Sequence, residues 1–312
     1  MKTKQITLSL ASIIMVASLA FTSCRKKDKT EPQEPDTDQT TAKDNNLSES
    51  INSDIEAIGS QASENNTGSS SSLNTYKVAE ATELAGISAA TITVVGKKIT
   101  IDFGASTTGL DGRVRSGIII YDYSATTSTT AIRYRNPGFN LSVSTQSYIV
   151  DGNQVNIISK TIANTTPSTI PTGTNPGTNL TWAINANVSI IKAGGAGTIA
   201  WICSRTKELT NTSNPACYKG QSLAIDWSKA IIKINGTATG TNKNAESFSA
   251  VATNLIRDFN CPTGLRRHFI GGQIAYTPGS KPTRVIDYGD GVTCDNNATL
   301  TVNGTTYAIT LP

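Results

Sequence analysis

Three aspartates late in the chain, Asp287, Asp290 and Asp295, cluster among glycines. Acidic, oxygen-rich loops of this kind can ligate calcium. The spacing is not that of an EF-hand, and Asp and Asn also occupy tight turns for backbone reasons. Asp102, Asp226 and Asp287 each adjoin a β-type segment. They are the candidate members of a carboxylate pair such as glycoside hydrolysis requires. His268 is the only histidine, and it has no nucleophile-elbow serine to activate. Asp102-Phe103-Gly104 matches the metal-binding triplet of protein kinases, but the Gly-rich loop, strand lysine and catalytic-loop Asp are missing, so the match reads as chance. Arg113 and Arg115 fall on one strand face with Tyr121 and Tyr123, and Arg133 and Arg135 flank Tyr134. Exposed, such groups hold sugars, anions or protein partners. Trp182, Trp201 and Trp227 could stack on sugars or fill a core.

The cysteines divide into one and four. Lys2 and Lys4, the apolar run from Ile6 to Phe21, and Thr22-Ser23-Cys24 read as a secretory leader of the lipoprotein kind. Residues 1–23 would be removed and Cys24 lipidated. The apolar run is too short for a spanning helix, which needs roughly 20 residues. Export makes disulfides the expected state of Cys203, Cys217, Cys261 and Cys294, which allow three pairings. Loop length favours Cys203–Cys217, leaving Cys261–Cys294; four buried free thiols are the other reading. No C-x-x-C pair speaks for zinc.

Lys2 and Lys4 leave with the leader, so 25 basic residues then face 23 acids, a balance of +2. That near-neutrality gives no support for nucleic-acid binding. Abundant Thr, Asn, Ser, Gly and Ile favour strands and tight turns over helices.

These residues need elements to carry them. Residues 24–46, charged and Pro-containing, read as a disordered tether, with Arg25, Lys26, Lys27 and Lys29 near the membrane. Leu47, Ile51, Ile55 and Ile58 form one helical face, with Gly59 placed as a C-terminal cap. Residues 47–72 therefore read as a short amphipathic helix followed by a Ser/Asn-rich linker. Val78–Ala90 is a second helical candidate. Residues 73–312 read as a β-rich ectodomain. Thr91–Val95 and Lys98–Phe103 flank a turn at Gly96-Lys97, and Arg113–Tyr123 forms a long strand. Strands also flank Asp151–Gln154, and Ala298–Val302 and Thr305–Leu311 flank Asn303-Gly304. Asn-Gly suits a two-residue type I′ turn. The Thr/Pro/Gly run from Asn164 to Asn179 reads as a hairpin tip rather than a domain boundary. Ile101-Asp102-Phe103-Gly104 is echoed by Ile286-Asp287-Tyr288-Gly289, as if at two equivalent corners. The predicted fold class is all-β, mostly antiparallel hairpins in a meander or sandwich, with one short N-terminal helix.

The blocks Thr100–Gly104, Asp111–Gly117, Ile286–Gly291, Cys294–Asn296 and Val302–Leu311 resemble a recurrent family of Bacteroidota-type lipoproteins of unknown function. The resemblance runs from about Thr91 to the end and is most specific at the C-terminus. It implies an all-β outer-membrane lipoprotein and implies no activity. Members often carry a cysteine soon after the first Asp-Phe-Gly, and Ala105–Leu110 has none. Cys261 and Cys294 match family positions; Cys203 and Cys217 do not.

The expectation is a lipid-anchored envelope or surface protein that binds, adheres or supports structure, needs no cofactor and takes a glycan or protein ligand. The membrane is met through the lipid, and the face of the outer membrane is left open. The competing reading is a secreted polysaccharide hydrolase with paired carboxylates.

Overall fold

The computed structural model describes residues 38–65, 74–77, 90–126, 134–167, 179–210, 229–262 and 264–311. Thr37–Pro312 forms one compact unit, distinct from Met1–Asp36. The expected leader, Cys24, the basic cluster after it, and all but Ala90 of the helical candidate Val78–Ala90 lie outside the described residues.

Among the described residues one α-helix, α1 (Thr40–Asn65), precedes fifteen strands. The first are β1 (Asn74–Lys77), β2 (Thr91–Val95), β3 (Lys98–Asp102), β4 (Thr107–Thr108) and β5 (Val114–Asp122). Long strands follow: β6 (Asn140–Val150), β7 (Asn153–Asn164), β8 (Leu180–Ile191), β9 (Thr198–Leu209), β10 (Ile231–Thr241) and β11 (Ser247–Asp258). The last are β12 (Gly271–Pro278), β13 (Arg284–Asp290), β14 (Asn297–Val302) and β15 (Thr305–Thr310). Fourteen of them form a single antiparallel meander in chain order, and β4 pairs only with β5. The expected hairpins are present. Val302 pairs with Thr305 across Asn303 and Gly304, whose φ values of 49° and 79° are those of a type I′ turn. Val95 pairs with Lys98 across Gly96-Lys97. Val150 pairs with Asn153, so that turn is Asp151-Gly152 alone. Strands β7 and β8 pair up to Asn164–Trp182, which makes the Thr/Pro/Gly run a hairpin connection.

The sheet curls about α1, whose side chains meet β5, β7, β9 and β13 on different sides. Tyr121 Oη donates to the Ile55 carbonyl, Lys160 Nζ to Asn52, Trp201 Nε1 to Asn45 Oδ1 (3.1 Å) and Tyr288 Oη to Asn46 Oδ1 (3.0 Å). Ile51, Ile55 and Ile58 join a continuous apolar core with the inward residues of the strands. The helix starts where Asp38 Oδ1 accepts the Thr40 amide (2.9 Å), an N-terminal cap. Its polar side chains bond back to its own carbonyls: Ser48 to Asp44, Asn52 to Ser48 and Ser60 to Ala57. Those bonds satisfy hydroxyls and amides away from water.

The helix corrects three expectations. Residues 40–46 are its first two turns, not tether. The expected linker begins no earlier than residue 66, because the helix continues through Asn65. Gly59 is not a cap: it lies in mid-helix, where an added Cβ would fall 2.3 Å from Tyr121 Cε1. The missing side chain admits the Tyr121 ring.

Bulges decide which strand residues face α1. Register shifts between Ile157 and Ser159 and between Thr253 and Ile256 reverse the alternation, turning Lys160 and Arg257 inward. Another, at Ser116–Ile118 opposite Ser147 (φ 48°), turns Tyr148 inward. The two echoed corners share one geometry. Asp102 Oδ1 accepts the Gly104 amide at 2.7 Å and Asp287 Oδ1 the Gly289 amide at 2.9 Å. Phe103 and Tyr288 turn into the core beside them.

Candidate functional site

The charged residues singled out by sequence fall into two places, the interior and the turns. Arg113 and Arg115 are buried. Arg115 Nη2 donates to both oxygens of Asp54 at 2.9 Å and to Asp111 Oδ2 at 2.6 Å. Arg113 Nη1 lies 3.6 Å from Asp54, and its Nε donates to Asp151 at 2.8 Å. Tyr121 and Tyr123 are buried on the same face, and Tyr123 Oη donates to the Gly96 carbonyl at 3.3 Å. The shared face is as expected, but it is the inner one, so these four residues offer no surface for a ligand. Burial alone would raise the Asp54 carboxyl; Arg115 and Arg113 outweigh it and hold it below the usual range.

A parallel cluster holds the C-terminal half of α1. Lys207 Nζ and Tyr134 Oη both donate to Glu56 Oε1 at 2.7 Å. The ammonium of Lys207 also lies 5.1 Å above the Tyr134 ring and 5.4 Å from that of Trp182. Burial opposes the Glu56 charge, yet Lys207 and Lys160 keep its carboxyl low. Burial lowers Lys207 despite Glu56. Arg205 pairs with Glu49 and Lys192 with Asp44. Trp182 and Trp201 are core residues, not sugar platforms. Arg135 is half-buried, whereas Arg133 and Trp227 lie outside the described residues. The sequence signal for this interior was Arg205 and Lys207 sitting in phase with Ile199, Trp201 and Leu209 on β9.

Asp287, Asp290 and Asp295 do line one open cleft of about 440 Å³, with Ile270, Thr293, Thr299 and Thr310. Their oxygens are engaged locally. Asp290 accepts the Val292 and Thr293 amides at 2.8 Å, Asp295 the Asn297 amide at 3.0 Å, and Asp287 the Gln273 side chain at 2.8 Å. Among the described residues no three acidic, His or Cys side chains converge as metal ligands. These aspartates shape turns, the backbone role that their types and glycine neighbours also suggest. Asp102 caps its own corner, and Asp226 lies outside the described residues. His268 is buried; burial first, then Arg267, Arg257 and Arg113, push its pKa down to about 4.

Cys261 and Cys294 form a disulfide with Cα atoms 5.5 Å apart. Cys203 is a free, buried thiol, so its expected bond to Cys217, itself outside the described residues, is not formed. Cys203 lies between Trp201 and Arg205 on the inward face of β9. Burial pushes this thiol up to about 12.

The remaining surface feature was not anticipated. The outer face of β7–β10 carries a shallow dish of about 440 Å³. Two rows cross it. Thr161, Asn185, Ser204 and Thr237 are successive cross-strand partners, as are Ser159, Asn187, Ile202 and Thr239. No charged side chain lines it, and Ile202 is 50 % exposed at its centre. Strand alternation alone could have picked out these outward residues, but not that four strands bring them side by side.

No family model, no curated protein and no solved structure matches this chain. Among the described residues no helix is long and apolar enough to cross a membrane.

Proposed function

We propose that this chain is a lipid-anchored outer-membrane protein that binds a neutral, polyhydroxylated ligand, a glycan, on the outer face of β7–β10. The dish carries the reading. Rows of amide and hydroxyl groups offer donors and acceptors without charge, and Ile202 offers an apolar patch for a sugar face. The ionisable residues that would otherwise suggest catalysis are engaged in holding α1 or in capping turns. The anchor part rests on Thr22-Ser23-Cys24. A Cys24→Ser chain should lose lipid labelling; labelling that persisted would end that part. For the dish, a glycan array should give hits that the Asn185→Ala/Asn187→Ala double variant loses at unchanged melting temperature. Hits retained by that variant would move the site elsewhere, and sugar release that depends on Asp287 would favour the hydrolase reading.

A further inference from the structure

Lys160 is a buried cation without a carboxylate. Among the described residues, seven Lys and Arg side chains are buried in this unit, against four buried carboxylates, Asp44, Glu49, Asp54 and Glu56, all on α1. Arg113, Arg115, Arg205 and Lys207 each reach one of those four. Lys160, only 2 % exposed, makes no ion pair; its Nζ lies 3.3 Å from Asn52 Oδ1 and 3.5 Å from the Asn52 carbonyl. An unpaired ammonium in such a place is expensive to bury. The Asn52 carboxamide is fixed as well, because its Nδ2 donates to the Ser48 carbonyl at 2.9 Å. An amine and a carboxamide are thus held in contact, 4 % exposed on the Asn52 side. Glu49 and Glu56 stand one helical turn to either side, and Lys160 is among the charges acting on Glu56.

We propose that Lys160 and Asn52 are joined by an isopeptide bond that staples α1 to β7. Nζ of Lys160 sheds its charge-bearing proton and attacks Cγ of Asn52, whose attached Oδ1 lies 3.3 Å from Nζ. The Nζ–Cγ bond forms, the Cγ–Nδ2 bond breaks, and the two protons that Nζ loses on becoming an amide end on the departing nitrogen. Ammonium leaves in place of the lysine ammonium, so charge and atoms balance and no oxidant or cofactor is needed. Holding the two groups in place supplies the proximity that such a condensation otherwise lacks. The product removes the unpaired charge from the interior.

Peptide mapping of the purified chain tests this. The expected result is a pair of peptides joined through Lys160 and Asn52, lighter than their sum by one ammonia, with no tryptic cleavage after Lys160. The Lys160→Arg chain should give both peptides in linear form. Asn52→Ala, checked for helix content by circular dichroism, should leave Lys160 in a linear peptide. Linear peptides with unmodified Lys160 and Asn52 from the folded natural chain would overturn the proposal.

Discussion

Asp54 is the residue on which the interior charge converges. Two guanidinium groups reach it, and its folded carboxyl is held below the ordinary range by their charge. Asp54→Asn leaves Arg115 with Asp111 alone and Arg113 with Asp151 alone, and loss of one partner from a buried pair costs about 3–5 kcal/mol. Chemical denaturation of the variant should show a loss of that size. The sign with pH follows from the depressed folded pKa of Asp54 and Glu56. Their contribution is complete above the ordinary carboxylate range of about 4 and is lost as pH falls through the lower folded values. Asp54→Asn should therefore flatten the acid limb of the stability curve. Arg113 and Arg115 were legible as a charged pair sharing a face with Tyr121. Their partner was not, because Asp54 is 61 residues away from Arg115 in sequence.

At the scale of elements, local chemistry was legible wherever a turn imposes its own geometry. The Asn303-Gly304 hairpin is the clearest case, and Gly304 has φ 79° with open space around its Cβ position. Gly304→Val should cost roughly 1–3 kcal/mol through backbone strain alone, read as a lowered melting temperature; an unchanged one would contradict the turn type. The extent of α1 was not legible. A stripe of Leu47, Ile51, Ile55 and Ile58 marks one face, but Asp44, Glu49, Asn52, Asp54 and Glu56 are buried as well. Polar residues read as solvent-facing unless their partners are known, and those partners sit on distant strands. The bulges hid Lys160 and Arg257 for a related reason. A strict two-residue period assigns them outward, and a single extra residue turns them in.

At the scale of the molecule, a meander in chain order is what successive hairpins produce. The turns marked hairpins and left a meander or a sandwich open, and neither the choice between them nor the curling of the sheet about a helix that precedes it was legible. The same curling leaves β7–β10 with an outer face where two polar rows align, the surface proposed to meet a glycan. The central claim is that α1 is the core of the fold rather than part of a tether. Hydrogen exchange of the intact chain measures this most directly. The amides of 44–60 should be protected as strongly as those of β9, since both open only when the unit unfolds. Exchange of 44–60 at the rate of an isolated helix, while β9 stays protected, would contradict it.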